Sequence, residues 1–426
     1  MSQVALKSRK SQSLRILDVA IDVGLDLLHA VTDLGAGLIR RQTRNQTEDI
    51  QRLCQWLSDT ARLHGFSQVR LIMEPTGIYH ELLSRIGHAY GFDVRTVQAA
   101  AVKGNRLVMF GDFGKTDHRD PEVILDLAKN ERLIFKRILT DTFQALRNAG
   151  VIYARAESDA ARAKCRIHRA LRRVFPDFPL SKDFLFSRSG EAVMKVTGFD
   201  PHSIARTYPK RLDQRIRRLA PRIRRSSITK IYESAKLSAD STPSNPATEL
   251  TLLELRQAWN DLHLAQERKA ESAAILESLF DQARLLDHTL PPPQPGLISK
   301  LNLARLVAET GPWCDFSSAR QLLKFIGLNL FEQQSGNWNG KKRISKKGRP
   351  LARHILSLVV IPLVRQGQLL GDFHHQKRTI EKKPGPVAIT ASARKILGVL
   401  FGWGRSGRAF DPQRAFTCES QMRKAA

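Results

Sequence analysis

The sequence of 426 residues predicts an α/β domain followed by a mainly helical region. Three observations carry that reading. Between 14 and 138, short apolar runs rich in β-formers alternate with stretches of helical periodicity. Beyond about 140 the strand patterns stop, and two long helical stretches follow, separated by a punctuated, basic insertion. A rigid "LPPPQPG" at 290–296 then sets off a last segment that is again mainly helical. The expected parts are a basic tail (1–13), the α/β domain (14–138), a helical coiled-coil region (139–290) with an insertion at about 176–247, a C-terminal domain (291–405) and a polar tail (406–426).

The first domain opens with "LRILDVAIDVG", "LDLLHAVTD" and "LIRRQT", three short strands joined by tight turns such as "LGAG". In "TEDIQRLCQWLSDTARLHGF", Ile50, Leu53, Trp56, Leu57 and Ala61 recur at helical spacing, with Thr47 as the expected N-cap. "SQVRLIMEPTG" is a buried strand ending at Glu74, "GIYHELLSRIGHAYG" a helix closed by glycine, and "FDVRTVQ" a strand. "HRDPEVILDLAKNERL" is a helix, with Pro121 tolerable in its first turn. The order βββαβαβα makes a mixed sheet with helices on its faces.

In the second region, "TFQALRNAGVIYARAESDAARAKCRIHRALRRVF" is a long helix on which Arg162, Arg166, Arg169 and Arg173 form one basic stripe. The stretch 246–286 is a second, with Leu252, Leu255, Trp259, Leu262 and Gln266 in an approximate heptad. Two such helices around an insertion suggest an antiparallel coiled-coil arm, and ordinary bundle packing fits the pattern equally well. The insertion contains "RTYPKRLDQRIRRLAPRIRR", with nine Lys/Arg against one Asp.

Composition narrows the function. Lys plus Arg is 69 against 41 for Asp plus Glu, a net +28 that attracts polyanions, nucleic acid first and an anionic membrane surface second. The longest apolar run, "ILSLVVIPLV", is ten residues, short of the roughly 20 a membrane span needs, so no membrane partner is expected. The N-terminus lacks the apolar segment of a secretory signal. Cys54, Cys165, Cys314 and Cys418 lie far apart with no CxxC pair, which suits a reducing cytoplasm and gives no zinc motif.

Four acids stand out by position. Asp22 interrupts the apolar "AIDVG", and Glu74 ends the buried strand in "LIMEPTG". Asp117 and Asp120, in "GKTDHRDPEVI", open the helix that follows the last strand. Each alone has an ordinary explanation, the pair as a capping and dipole feature, for example. Together they ask for a cation, because a carboxylate among apolar residues is costly unless paired or metal-bound. In a sheet of the ribonuclease H type the first strand and the strand after the first helix are neighbours, so their acids converge. Four carboxylates suit two hard cations about 3.5–4 Å apart, clamping the oxygens of a phosphoryl transfer. A second motif, "FEQQSGNWNGKKRISKKGRPLARHIL", puts Ser335 before Gly336 in a polar loop at 332–343. Seven Lys/Arg and no acid follow between 341 and 353. Lys341, Lys342, Arg343, Lys346, Lys347 and Arg349 are candidate phosphate contacts, as are the four stripe arginines.

These motifs together resemble the DEDD transposases of the IS110 family of insertion sequences, relatives of the Piv-type DNA invertases. The likeness rests on "AIDVGLDLLHAV", "MEPTGIYHELL" and "GKTDHRDPEVI", then "QPGLISKLNLARLVAETGPWCDFSSARQLLKFIGLNL" and "QSGNWNGKKRISKKGRPLARHIL", in that order. The family's "PGIG" reads "PGLIS" here, and its "GLNP" reads "GLNL". The resemblance implies a RuvC-like (ribonuclease H-like) first domain whose acids, here Asp22, Glu74, Asp117 and Asp120, bind magnesium, with manganese a substitute. It implies a nucleophilic serine, here Ser335, in the C-terminal domain. It implies donor and target DNA as substrates, a bridge RNA encoded by the element as guide, and a homo-oligomer, dimer or tetramer, at the nucleoid.

The chemistry would be strand exchange through a phosphoserine ester, which conserves bond energy that hydrolysis loses. Three other readings stay open. One is a RuvC-type structure-specific endonuclease acting by hydrolysis, with Ser335 incidental. Another is an actin-like kinase, which shares the sheet order but would need a later Gly-rich phosphate loop. The last is a passive nucleic-acid binder, in which buried acids have no purpose.

Overall fold

The computed structural model describes residues 15–35, 37–75, 77–111, 119–132, 134–135, 139–332, 334–335, 338–339 and 342–416. The calls on Asp117, Lys341 and the 1–13 tail lie outside them. The chain forms two compact units, 1–138 and 139–426.

The first unit runs β1 (Ile16–Val23), β2 (Leu27–Asp33), β3 (Leu38–Arg44), α1 (Thr47–Leu63), β4 (Gln68–Met73), α2 (His80–Ala89), β5 (Asp93–Thr96), α3 (Ala99–Phe110), α4 (Arg119–Lys129) and β6 (Ile134–Phe135). Its sheet has the order β3-β2-β1-β4-β5-β6. β1, β2 and β3 pair antiparallel, β1 with β4 and β4 with β5 parallel, and β6 closes the edge antiparallel. This is the mixed sheet the sequence predicts, with one helix, α3, and one edge strand, β6, that it does not. Two cores flank the sheet. Leu17, Val19, Ile21 and Val23 of β1 pack with Ile50, Leu53 and Leu57 of α1 and Leu83 of α2. Ala20 of β1 and Ile72 of β4 pack on the opposite face with Val102 of α3 and Val123, Ile124 and Leu127 of α4. The central strands are covered on both sides, which is why they read as near-continuous apolar runs. The cap of α1 differs from expectation. Thr47 is its first helical residue and Gln46 the cap, which makes no side-chain bond; Glu48 and Asp49 oppose the helix dipole instead.

In the second unit, α5 (Asp141–Val174) and α11 (Pro246–Leu286) pack against each other along their length. Ion pairs Glu157–Lys269, Arg166–Asp261 and Arg169–Glu254 step backwards along α11 as they advance along α5, so the two helices are antiparallel. Leu255, Leu262, Leu276 and Ala283 are buried at multiples of seven, and so are Ala258, Ala265 and Ser272. Gln266, expected in this seam, is exposed, and Ala265 takes its place.

The insertion folds into α6 (Lys182–Leu185), α7 (Arg188–Thr197), α8 (Pro201–Arg206), α9 (Pro209–Leu219) and α10 (Arg225–Ser241). Residues that looked like breaks are caps: Ser181, Ser187 and Asp200 accept bonds from the N–H groups of Phe184, Gly190 and His202. These helices share a core with one end of the arm, around Phe175, Phe199, Ile216, Ile231 and Trp259.

The other end of the arm is embedded in the C-terminal helices. These elements are α12 (Lys300–Thr310), α13 (Ala319–Ile326), β7 (Leu330–Phe331), β8 (Gln334–Ser335), β9 (Trp338–Asn339), β10 (Arg343–Ile344), α14 (Pro350–Leu363), α15 (Gly371–His375) with a π-helical turn after it, α16 (Gly385–Ser406) and α17 (Pro412–Phe416). Leu146 of α5 and Phe280 of α11 join Trp313, Leu356 and Leu400 in this core, and Leu290 and Leu297 of the Pro-rich segment lie inside it. Part of the expected polar tail is packed, with Phe410 against Trp403 at 5.0 Å between ring centres. Among the described residues, no helix is long and apolar enough to cross a membrane.

Candidate active site

β1 and β4 run parallel, with Asp18 opposite Arg70 and Ile21 opposite Met73. Asp22 is the next residue of β1, and Glu74 the first beyond β4, so the register brings these acids side by side across strands about 4.8 Å apart. Side chains alternate along a strand. Asp18 and Asp22 therefore share the face of Ala20, and Arg70 and Glu74 that of Ile72, which is the face covered by α3 and α4. Both acids of the second rung are half-buried. On the other side of β1, His29 of β2 stands opposite Asp22 and is half-buried too.

The first rung is a closed ion pair. Arg70 donates from Nε to Asp18 Oδ1 at 2.6 Å and from Nη2 to Oδ2 at 2.8 Å. The hydrogen bonds to Asp18 hold the Arg70 guanidinium above its ordinary pKa, against the opposing pull of burial.

Asp120 enters the same face from α4. It is 3% exposed, and Arg106 of α3 donates to its Oδ1 from Nε at 2.9 Å and from Nη2 at 2.6 Å. Sequence reading had no partner for this acid, because it did not find α3. Two residues on, Glu122 of α4 accepts from Arg40 of β3 at 2.5 Å. Among the described residues no three of His, Cys, Asp and Glu gather closely enough to hold an ion. All the candidate donors are carboxylate oxygens, the ligand type that hard divalent cations take, and Asp22 and Glu74 are adjacent on the covered face. Asp22 and Glu74 thus offer the donor type such an ion takes, while Asp120 is engaged by Arg106.

Ser335 lies on β8, not in an open loop. It pairs with Trp338 of β9, and Gln334 with Asn339, so only Gly336 and Asn337 connect the rungs, a two-residue hairpin sequence. β7 and β10 form an outer rung, Leu330 opposite Ile344 and Phe331 opposite Arg343. Two residues separate the rungs on the outgoing side and three on the return. Lys342 pairs with Glu332 at 3.4 Å, and Arg349 sits over the Phe325 ring at 5.6 Å. Arg343, Lys346 and Lys347 are exposed. Gly348 has a reason other than approach to phosphate. At φ 149° its Cα faces the Phe325 carbonyl, and a Cβ would lie 2.3 Å from that oxygen.

The stripe on α5 is largely neutralised. Arg166 reaches Asp261 and Arg169 reaches Glu254, both at 2.6 Å, and Arg162 meets Asp159 at 3.6 Å; Arg173 is exposed.

Residues 19–176 match the family model of the DEDD transposases of IS110 type, and residues 295–375 that of the transposase IS116/IS110/IS902 family. No curated protein matches the chain. A DEDD transposase domain points to dependence on a divalent metal, and a transposase acts on DNA. With both models matched in order over more than half of its length, the chain belongs to the IS110 family of insertion-sequence transposases.

Proposed function

We propose that this transposase cuts and rejoins DNA through a phosphoserine intermediate, with Ser335 as nucleophile and Asp22, Glu74, Asp117 and Asp120 as the metal-binding set of a RuvC-like domain. The observation that carries the reading is the second rung, an acid opposite an acid on the covered face of two central parallel strands. The strand order, antiparallel over β1–β3 and parallel through β4 and β5, supports the ribonuclease H-like assignment. Bound magnesium, or manganese in its place, would neutralise the phosphate and stabilise the leaving oxyanion.

The residues of the chain do the rest. Ser335 Oγ forms a bond to phosphorus at a 5′ end and gives up its proton, while the bond to the 3′ oxygen breaks and that oxygen is protonated. A 3′ hydroxyl later reverses the step and restores the serine, so exchange needs no ATP. The pairing of β8 with β9 ties the backbone that carries the serine, which lowers the cost of orienting it. Arg343, Lys346 and Lys347 are exposed and suited to backbone phosphates. A bridge RNA as guide and a homo-oligomer as the working form complete the reading.

The test uses a nicked DNA substrate that blocks rejoining, run on a denaturing gel beside a protease-treated lane. Wild type should give a protein–DNA adduct that needs Mg²⁺, and Ser335→Ala none, with folding and DNA binding retained. Free ends cut by Ser335→Ala at the wild-type rate would make water the nucleophile and the protein a RuvC-type endonuclease. Calorimetry with Mg²⁺ should separate wild type from Asp22→Asn, and equal binding in both would remove the metal site.

A further inference from the structure

The cap on the arm carries a second arginine pattern with the geometry of the first and the opposite environment. On α9, Arg211, Arg215 and Arg218 recur at i, i+4 and i+7, the spacing of Arg162, Arg166 and Arg169 on α5. All three are exposed, while Leu212 and Ile216, one position on, are buried in the cap core. Among the described residues none of the three forms an ion pair. Arg215 reaches only the Val196 carbonyl, at 3.5 Å. Lys210 precedes them, and Arg222, Arg224 and Arg225 follow in the turn into α10 and at its start, exposed and likewise without an acid partner among the described residues, while Ile223 anchors that turn in the core. Asp213 is the one acid between 206 and 225. A helix held by two apolar side chains thus presents a row of uncompensated guanidinium groups on a packed support. Self-repulsion among such groups is a cost that folding alone does not repay.

We propose that the cap is a docking surface for the phosphodiester backbone of nucleic acid, formed by α9 and the turn into α10 and separate from the catalytic residues. Guanidinium forks match phosphate oxygens in pairs, and residues spaced one helical turn apart can track successive phosphates of a strand. The exposed ring of Tyr208, at the N-cap of α9, precedes the arginines, and the guanidinium row itself addresses the backbone and not base sequence. The inference extends the transposase reading by naming where the arm meets its substrate or guide, and its test needs no catalysis.

The experiment compares the full-length protein with Arg211→Gln/Arg215→Gln/Arg218→Gln in binding a labelled DNA duplex and a labelled RNA hairpin across a salt series. For duplex DNA the slope of log K against log salt should fall by about 2.7, roughly 0.9 per lost phosphate contact. A drop with DNA alone, or with RNA alone, supports the proposal and identifies the polyanion. The triple variant Lys210→Gln/Arg222→Gln/Arg224→Gln repeats the test should the first set disturb the fold. Lys195→Gln/Lys300→Gln, which removes two charges already paired with Glu191 and Asp281, should leave the slope unchanged. An unchanged slope in both cap variants, an equal drop in this control variant, or binding of anionic vesicles without nucleic acid would overturn the proposal. Loss of metal binding or of the serine adduct would strike the catalytic reading and leave this measurement untouched.

Discussion

Asp18 and Asp22 sit on one strand, on one face, one β-repeat pair apart, and β4 answers them in opposite ways. Opposite Asp18 it supplies Arg70, which closes two short hydrogen bonds over a carboxylate that is 20% exposed at its side chain. Beside Asp22 it supplies Glu74. Opposite charges directly across a sheet stabilise, and like charges destabilise, by a few tenths to about 1 kcal/mol. The first rung is what folding selects. The second sets a carboxylate beside a carboxylate, and it stands where the strands end. A local rule is kept at one rung and broken two β-repeats further along the same two strands, and on the proposed reading that break serves function.

The largest expected effect is on the second rung. On the proposed reading, Asp22→Asn or Glu74→Gln should cost strand transfer at least about a thousandfold, since charge stabilisation worth several kcal/mol is lost and each 1.36 kcal/mol is tenfold. The melting temperature should hold or rise, because like charges are relieved. A strand-transfer assay beside a thermal melt checks both, and a variant that melts much earlier would make the rung structural.

The first rung should respond the other way. Arg70→Met strands Asp18 in a mostly covered site and should cost about 3 kcal/mol in urea unfolding. Adding Asp18→Asn should recover part of that. A loss confined to activity would show that the two rungs are not different in kind.

Glu74→Arg converts the second rung into a copy of the first. Stability should rise by about 1 kcal/mol while metal binding and catalysis disappear. Calorimetry with Mg²⁺ and a denaturation curve decide it together.

The smallest effect belongs to an exposed pair on the same face. Lys129 of α4 donates to Asp33 at the end of β2, at 2.8 Å, and this hydrogen bond lowers the Asp33 pKa. A depressed folded value means stability that is present above the unfolded carboxylate pKa of about 3.9 and is lost as pH falls through the folded value. Solvent screening keeps this below about 0.5 kcal/mol, so Lys129→Met should barely flatten the acid limb of the stability curve.

The contrast between the rungs was half legible. Asp22 and Glu74 were conspicuous because buried parallel strands leave few places for an acid. Arg70 and Asp18 were hidden in the same strands, since register cannot be read until the strands are known to be neighbours. Arg106 was missed with its helix. In "AAAVKGNRLVMF" the block Lys103–Arg106, with Gly104 inside it, masks the sparse inward positions Val102 and Arg106. The insertion was read as broken text because Ser181, Ser187 and Asp200 punctuate it, yet those side chains start helices. Ser335 was singled out by its motif alone, while β8, which carries it, and β9 are two residues each, too short for a periodic signal.

At the root of the arm, Asp287 follows α11 and is buried. It accepts from the Trp313 N–H at 2.6 Å, the Cys314 N–H at 3.1 Å, the Thr289 N–H at 2.9 Å and the Thr289 hydroxyl at 2.6 Å. About 27 Å back along α11, Glu157 of α5 joins Arg305 of α12 and Lys269 of α11. In mechanical terms this is the clamped end of a lever. A helix of 41 residues is roughly 60 Å long, so a rotation of about 5° at the clamp moves the far end by about 5 Å, close to the pitch of one helical turn. The carboxylate with its four donors, together with the core around Leu276 and Phe280, therefore sets the aim of what the arm carries, at a distance where no side chain could reach.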